Sequence, residues 1–329
     1  MDVVSLAAGF LFSAGLISNI VFFSFAEQEW VKTILFVFTG VALLVSAAFL
    51  CITRSLAWSW VFRRLVRNDR MAFDEAWRLV LREDGEKQSL PRLKHLALSY
   101  QNSWSNIRQR YTRKADLANE RPSDAVPSSF HRPRSSKENY VKSLDQLYDQ
   151  AFCADYFLKQ KIIELAKESK GLFRVSDCRM GVVNRSFATW KDISSDGSEL
   201  EIQWTHLKSI DRALEKLLRS YDCDPSRLLD CCRESLYFDR VEDLVACLEA
   251  MLADKEIRIL RIKNRMDPEA DVYHSANYRN VVLNLCIESE ETRRLGVEGH
   301  VCELLLTMTS IAALVDENVH HRYLILRNC

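Results

Sequence analysis

Asn277-Tyr278-Arg279-Asn280-Val281-Val282-Leu283-Asn284-Leu285-Cys286-Ile287 is the stretch that decides the fold. From Asn280 onward it alternates: Val281, Leu283, Leu285 and Ile287 face one way, the period of a strand laid on a core. Working outward, Ile257 to Ile262 reads as a strand before it and Val301 to Met308 as a strand after it. Leu172-Phe173-Arg174-Val175, Leu200-Glu201-Ile202-Gln203-Trp204 and Ser235 to Phe238 read as shorter strands. Helical spacing separates them. Ile210, Leu214, Leu217, Leu218 and Tyr221 share one side of Lys208 to Tyr221, and Leu244, Cys247, Leu248 and Met251 share one side of Val241 to Asp254. The chain from Ser310 reads as helix again. This order predicts an α+β fold whose C-terminal mixed sheet is packed by helices.

The other end of the chain reads differently. Val3 to Phe25 has no charged residue, and Val31 to Ile52 has only Lys32 at its edge. Each run of about 20 residues spans roughly 30 Å as a helix. The polar turn Ala26 to Trp30 between them predicts a transmembrane hairpin, with Trp30 at the interface. A cleaved signal peptide fits poorly, because Met1-Asp2 supplies no positive n-region. Arg54, Arg63, Arg64, Arg67 and Arg70 follow the second run and put that side, and both termini, in the cytosol. Trp58, Trp60, Val61, Phe62 and Leu65 mix with these arginines. They predict an amphipathic helix along the membrane surface, or a second span that simply continues.

Between the two ends, Phe73, Trp77, Leu79, Val80, Leu93, Leu96 and Leu98 predict helices over 71–115. Glu120 to Glu138 contains Pro122, Pro127 and Pro133 among many serines and reads as a linker. Tyr140 to Lys170 is helical through Leu144, Leu147, Phe152, Tyr156, Phe157, Ile162, Ile163 and Leu165. The expected layout is 1–53 for two transmembrane helices, 54–115 for a helical juxtamembrane region, 116–139 for a flexible linker and 140–329 for the sheet-bearing domain.

Composition narrows the function classes. Lys plus Arg and Asp plus Glu number 45 each, so no net charge draws the chain to nucleic acid. Nine glycines and six prolines argue against a sandwich or barrel. The ten cysteines include no CxxC pair and read as reduced, mostly buried thiols. No Walker loop, GxGxxG, HExxH or GxSxG is present. The adjacent His320 and His321 diverge on a helix, which disfavours a shared metal.

Four segments carry the functional signal. They are Leu207-Lys208-Ser209-Ile210 with Lys216, Leu228-Leu229-Asp230 leading into Leu236-Tyr237-Phe238, Asn277 to Leu285, and His300-Val301-Cys302-Glu303-Leu304. In order and spacing they resemble the nucleotidyltransferase-like domain of RelA/SpoT alarmone synthetases, over about residues 172 to 329. Arg261-Ile262-Lys263-Asn264-Arg265, ahead of the Tyr278 strand, resembles divergent eukaryotic relatives of that family. The resemblance implies transfer of pyrophosphate from ATP to the 3′-hydroxyl of a guanosine nucleotide, with Mg2+ neutralising phosphate. It implies Asp230 and Glu303 as catalytic, metal-holding carboxylates and Lys208 and Lys216 as phosphate contacts. It also implies Tyr278 as a base-stacking ring with Arg279 beside it.

The chain departs from the family pattern at His206, Ser235, Asn277, Val282, Leu305 and Thr307, and no hydrolase domain with a His-Asp pair precedes it. Each signal residue has an ordinary reading too. Asp230 caps a turn, Glu303 pairs with Arg279 or Arg233, Tyr278 is core, and Lys208 is a solvated helix-start residue. Two functions therefore stand: a membrane-tethered, purine nucleotide-binding protein, degenerate or altered in catalysis, and a non-catalytic scaffold. The scaffold would meet a protein partner through the helical region 71–170.

Overall fold

The computed structural model describes residues 29–84, 89–100, 107–111, 139–177, 184–195 and 200–328. The first expected span, Val3 to Phe25, and all of the expected linker except Asn139 lie outside these residues. The chain forms two compact units that divide between Asp69 and Arg70.

Among the described residues, one helix is long and apolar enough to cross a membrane. This is α1, Glu29–Asp84, whose 18-residue apolar window has a mean hydropathy of 2.3 with none of it buried. The described fold therefore holds one candidate span, not the hairpin of two. The second expected span lies inside α1, and the helix does not stop at Ile52. No glycine or proline occurs between Gly40 and Gly85, so nothing interrupts the hydrogen-bond ladder. The juxtamembrane segment is a continuation of the same helix.

The second unit begins with the last turns of α1, whose Phe73, Trp77 and Val80 are buried. Helix α2 (Ser89–Leu98) adds Leu93 and Ala97, while Leu79 and Leu98 are exposed, contrary to the expected stripe. Residues 107–111 are extended, not helical, and Arg110 bridges Tyr140. Helix α3 (Leu144–Ser169) starts where the Ser143 side chain accepts from the Gln146 N–H, and it ends at Lys170 with a left-handed φ of 56°. Gly171 follows because a Cβ there would come within 2.9 Å of the Leu236 side chain.

The sheet contains β1 (Leu172–Asp177), β2 (Asn184–Thr189), β3 (Leu200–Ile202), β4 (Arg233–Phe238), β5 (Ile257–Asn264), β6 (Val281–Ile287) and β7 (Cys302–Met308). Its order is β2-β1-β4-β7-β6-β5, with β3 paired to β1. Only β4 and β7 run parallel, so the sheet is mixed and the fold α+β. The remaining helices are α4 (Trp190–Ser194), α5 (Ile210–Ser220), α6 (Val241–Ala253), α7 (Glu290–Leu295), α8 (Thr309–Ala312) and α9 (Glu317–Asn328). Strand β2 and helix α4 were not expected. Neither carries a long apolar period, and α4 is defined by its Thr189–Asp192 capping box.

Helices α2, α3 and α6 pack on one face of the sheet. That face presents Phe173 and Val175 of β1, Leu236 and Phe238 of β4, Leu283 of β6 and Leu304 and Leu306 of β7, all buried. Each fully buried Leu or Phe contributes about 1.5–3 kcal/mol. The helical stripes are narrower than predicted. On α5 only Ala213 and Leu217 are buried, with Ile210, Leu214 and Leu218 exposed, and on α3 Phe152 and Tyr156 are exposed. A helix packed by one side buries only the arc that faces its neighbour.

Candidate functional site

Strand pairing generates the second face of the sheet. Arg233 on β4 is opposite Glu303 on β7, Glu303 is opposite Asn284 on β6, and Asn284 is opposite Arg261 on β5. These side chains form one row, Arg233–Glu303–Asn284–Arg261, on the face away from α3 and α6. Two rows further along the strands lie Tyr237 and Thr307. Four residues of strand separate Glu303 from Thr307, about 13 Å.

Asp230 stands just before β4, at the charged end. Lys208 Nζ donates to its Oδ2 at 2.9 Å and Lys216 Nζ to the same oxygen at 2.8 Å. Lys208 lies just before the Ser209 cap of α5 and Lys216 on its second turn, so the two bring both cations to one carboxylate. Burial alone would raise the Asp230 carboxyl, but the ammoniums of Lys216 and Lys208 hold it down at about 2. Burial lowers Lys208 below its ordinary value, and Asp230 only partly offsets this. For Lys216 the attraction of Asp230 wins over burial and the net shift is upward. Glu303 is raised by burial and then by the negative charge of Asp230, with Lys216, Arg233 and Arg261 pulling the other way. The two carboxylates therefore repel each other within a ring of four cations.

Asp230 Oδ1 is buried and has no hydrogen-bond partner, and neither does either side-chain polar atom of the fully buried Asn284. Buried polar atoms left unpaired cost about 1–3 kcal/mol each, so such atoms at one place point to a ligand. Among the described residues no group of three or more His, Cys, Asp or Glu side chains is arranged to hold a metal. Two repelling carboxylates, one with a spare buried oxygen, nonetheless suit Mg2+, which takes one or two carboxylates and completes its shell with water and phosphate.

Tyr278 belongs to the other end of this face. Its phenol is pushed up to about 12, chiefly by burial, with the Thr307 hydroxyl hydrogen-bonded to it and Tyr237, Arg174 and Arg265 around it. Its ring packs edge-on against Phe73 at 5.4 Å. Arg279 does not join the row. Its guanidinium donates to the carbonyls of Arg265 and Asp267 at 3.1 and 3.0 Å and stacks over Trp77 at 4.8 Å. The geometry thus gathers Lys208, Lys216, Asp230 and Glu303 at one end, sets Tyr278 at the other, and turns Arg279 toward α1. Glu303 has Arg233, not Arg279, across the strand.

Sequence reasoning assigned no ligand role to Arg233, Arg261, Asn284 or Gln109. Arg261 and Asn284 sit inside the segments that carried the resemblance, so a signal existed. Gln109 had none. Its Nε2 donates to the carbonyls of Leu228 at 3.1 Å and Val301 at 2.9 Å, and its Oε1 accepts from the Val301 N–H at 2.7 Å. It is fully buried and ties the segment before Asp230 to the segment before Glu303. On α9, His320 is lowered by burial and then by Arg233 and Arg212, so the C-terminal helix reaches the charged end.

No family model and no curated protein matches this chain. Solved structures do show likeness. One is the complex between the Type VI effector Tas1 and its immunity protein, at 17% identity and a TM-score of 0.32, covering 56% of this chain and 74% of that one. A GTP pyrophosphokinase family protein from Streptococcus pneumoniae is 12% identical, with a TM-score of 0.35 over 56% of this chain and 87% of that one. Small alarmone synthetase 1 from Bacillus subtilis, bound to its product pppGpp, is 16% identical, with a TM-score of 0.28 over 41% of this chain and 73% of that one. TM-scores this low carry no argument for fold or activity.

Proposed function

We propose that this chain is a membrane-anchored, purine nucleotide-binding protein built on a divergent RelA/SpoT-like nucleotidyltransferase domain. One observation carries the reading: Lys208 and Lys216 both close on Asp230, whose other buried oxygen is left over, beside the strand row Arg233–Glu303–Asn284–Arg261. A ring of cations around two carboxylates suits a polyphosphate that arrives with a divalent ion. Mg2+, held by Asp230 and Glu303, would supply charge neutralisation at the phosphates. Lys208, Lys216, Arg233 and Arg261 bind phosphate oxygens, and Asn284 offers an amide between them. Tyr278, Tyr237 and Arg174 form an aromatic and cationic floor for the base about 13 Å away. Glu303, raised toward its protonated form, is the group at which a proton from an attacking hydroxyl would be held.

Calorimetry on the full chain in detergent tests this. ATP or GTP with Mg2+ should bind, and binding should vanish in Glu303→Gln. No heat with any purine nucleotide overturns the reading. A non-catalytic version, in which the fold serves as a platform for a protein partner, is favoured by one feature. Both lysines already close on Asp230, and Arg279 is spent on carbonyls and Trp77. Incubation with ATP and GDP followed by ion-exchange chromatography separates the two, because only the enzyme yields a 3′-pyrophosphorylated nucleotide. The anchor is α1, and the arginines from Arg54 to Arg70 put the sheet-bearing unit in the cytosol.

A further inference from the structure

Three consecutive residues of the Tyr278 loop each grip α1. Asn277 Nδ2 donates to both carboxylate oxygens of Asp74, at 3.1 and 3.0 Å. The Tyr278 ring meets Phe73 edge-on at 5.4 Å. The Arg279 guanidinium lies over Trp77 at 4.8 Å and is also attracted by Asp74. Residues 73, 74 and 77 lie on one side of a helix. The backbone of the loop is strained where it is gripped, since Ala276 and Asn277 have left-handed φ values of 52° and 64°. Non-glycine residues occupy that region at a cost and persist there when surrounding contacts hold them.

We infer that Asp74 and Asn277 are positioning residues that aim the Tyr278 ring at the ligand face. The inference rests on the nucleotide-binding reading above. Arg70 on α1 also donates to the Tyr273 carbonyl at 3.3 Å, but the side-chain amide of Asn277 acts as the latch nearest Tyr278, because it donates to both carboxylate oxygens of Asp74. Glycine at 277 would suit the backbone better and lose the latch entirely. Tyr278 would then keep its place in the chain but not its fixed direction.

The test uses the full chain. Asn277→Gly removes the latch without backbone strain, so its melting midpoint should stay at the wild-type value. Its affinity for Mg2+-ATP or Mg2+-GTP should fall about tenfold, the cost of ordering the Tyr278 ring on binding once the latch no longer holds it. Asp74→Asn combined with Asn277→Asp reverses donor and acceptor and should restore the affinity. Wild-type affinity in Asn277→Gly, or failure of the reversed pair to recover, overturns the inference. If the wild-type chain binds no purine nucleotide, the functional reading fails, and hydrogen exchange over residues 272–280 judges the latch alone. Exchange at least about tenfold faster in Asn277→Gly upholds it, and unchanged exchange overturns it.

Discussion

The two faces of one sheet are built from the same strands and have opposite chemistry. On β4, Glu234, Leu236 and Phe238 are buried under the helices, while Arg233, Ser235 and Tyr237 occupy the other side. On β7, Leu304 and Leu306 face the helices and Glu303 and Thr307 do not. The helical face is held by apolar burial, and its polar member Glu234 accepts from the Thr205 N–H at 3.1 Å, with its carboxyl raised to about 7 by burial. On the second face Asp230 keeps its charge because Lys208 and Lys216 both donate to it. Buried charges of this kind are weak contributors to stability, because desolvation offsets their attraction. The helical face carries the fold, and the second face gathers the charged groups.

The largest test of that contrast is Asp230→Ala. It leaves Lys208 and Lys216 buried without their carboxylate and should cost about 3–5 kcal/mol in urea unfolding. Glu303→Gln, on the same face, removes a repulsion and should leave stability within about 0.5 kcal/mol of wild type while abolishing Mg2+-nucleotide binding. If both variants destabilise alike, the second face is structural and the contrast fails.

Glu234 tests the helical face through pH. Its folded carboxyl keeps a proton up to about 7, against an ordinary value of 4.5. The folded state therefore binds the extra proton, and stability falls as pH rises from 4.5 through 7, by up to about 3 kcal/mol. His300 acts oppositely: burial holds it neutral down to about 3, so it costs stability as pH falls below 6.5. The difference between wild type and Glu234→Gln in urea unfolding at pH 5 and pH 8 isolates the carboxyl. The variant should gain relative to wild type only at the higher pH.

Gln109 joins the two carboxylate-bearing segments. Gln109→Ala leaves Leu228 and Val301 backbone groups unpaired and should cost about 2 kcal/mol by urea titration, with weaker Mg2+ binding. Stability lost with Mg2+ affinity unchanged would show that the clamp serves only the helical face. The smallest effect belongs to Ser143→Ala, away from the second face. Loss of the α3 cap should cost about 1 kcal/mol by thermal melting and leave nucleotide affinity unchanged.

Local pattern made much of this legible. The period of two over Val281 to Ile287 was a strand because alternate side chains must take opposite faces. Lys208, Lys216 and Asp230, singled out by their order along the chain, meet one another in the fold. The two-span hairpin was not matched by the described fold, which holds α1 alone, and the extent of α1 to Asp84 could have been read from its lack of glycine and proline. The exposed Ile210, Leu214 and Leu218 were misplaced because an apolar period marks a side of a helix without saying how much of it a neighbour covers.

The sequence by itself determined the longer strands and helices, the apolar span and the kinds of chemistry available, because these depend on residues a few positions apart, but not β2 or α4. Only the tertiary structure decided which of those groups meet. Gln109 reaches Val301 across 192 residues, Asp74 reaches Asn277 across 203, and Arg279 turns to Trp77 instead of the ligand face. No local rule encodes such pairs. They are set by the sheet order β4-β7-β6-β5, which brings distant strands to hydrogen-bonding distance and fixes which side chains share a row.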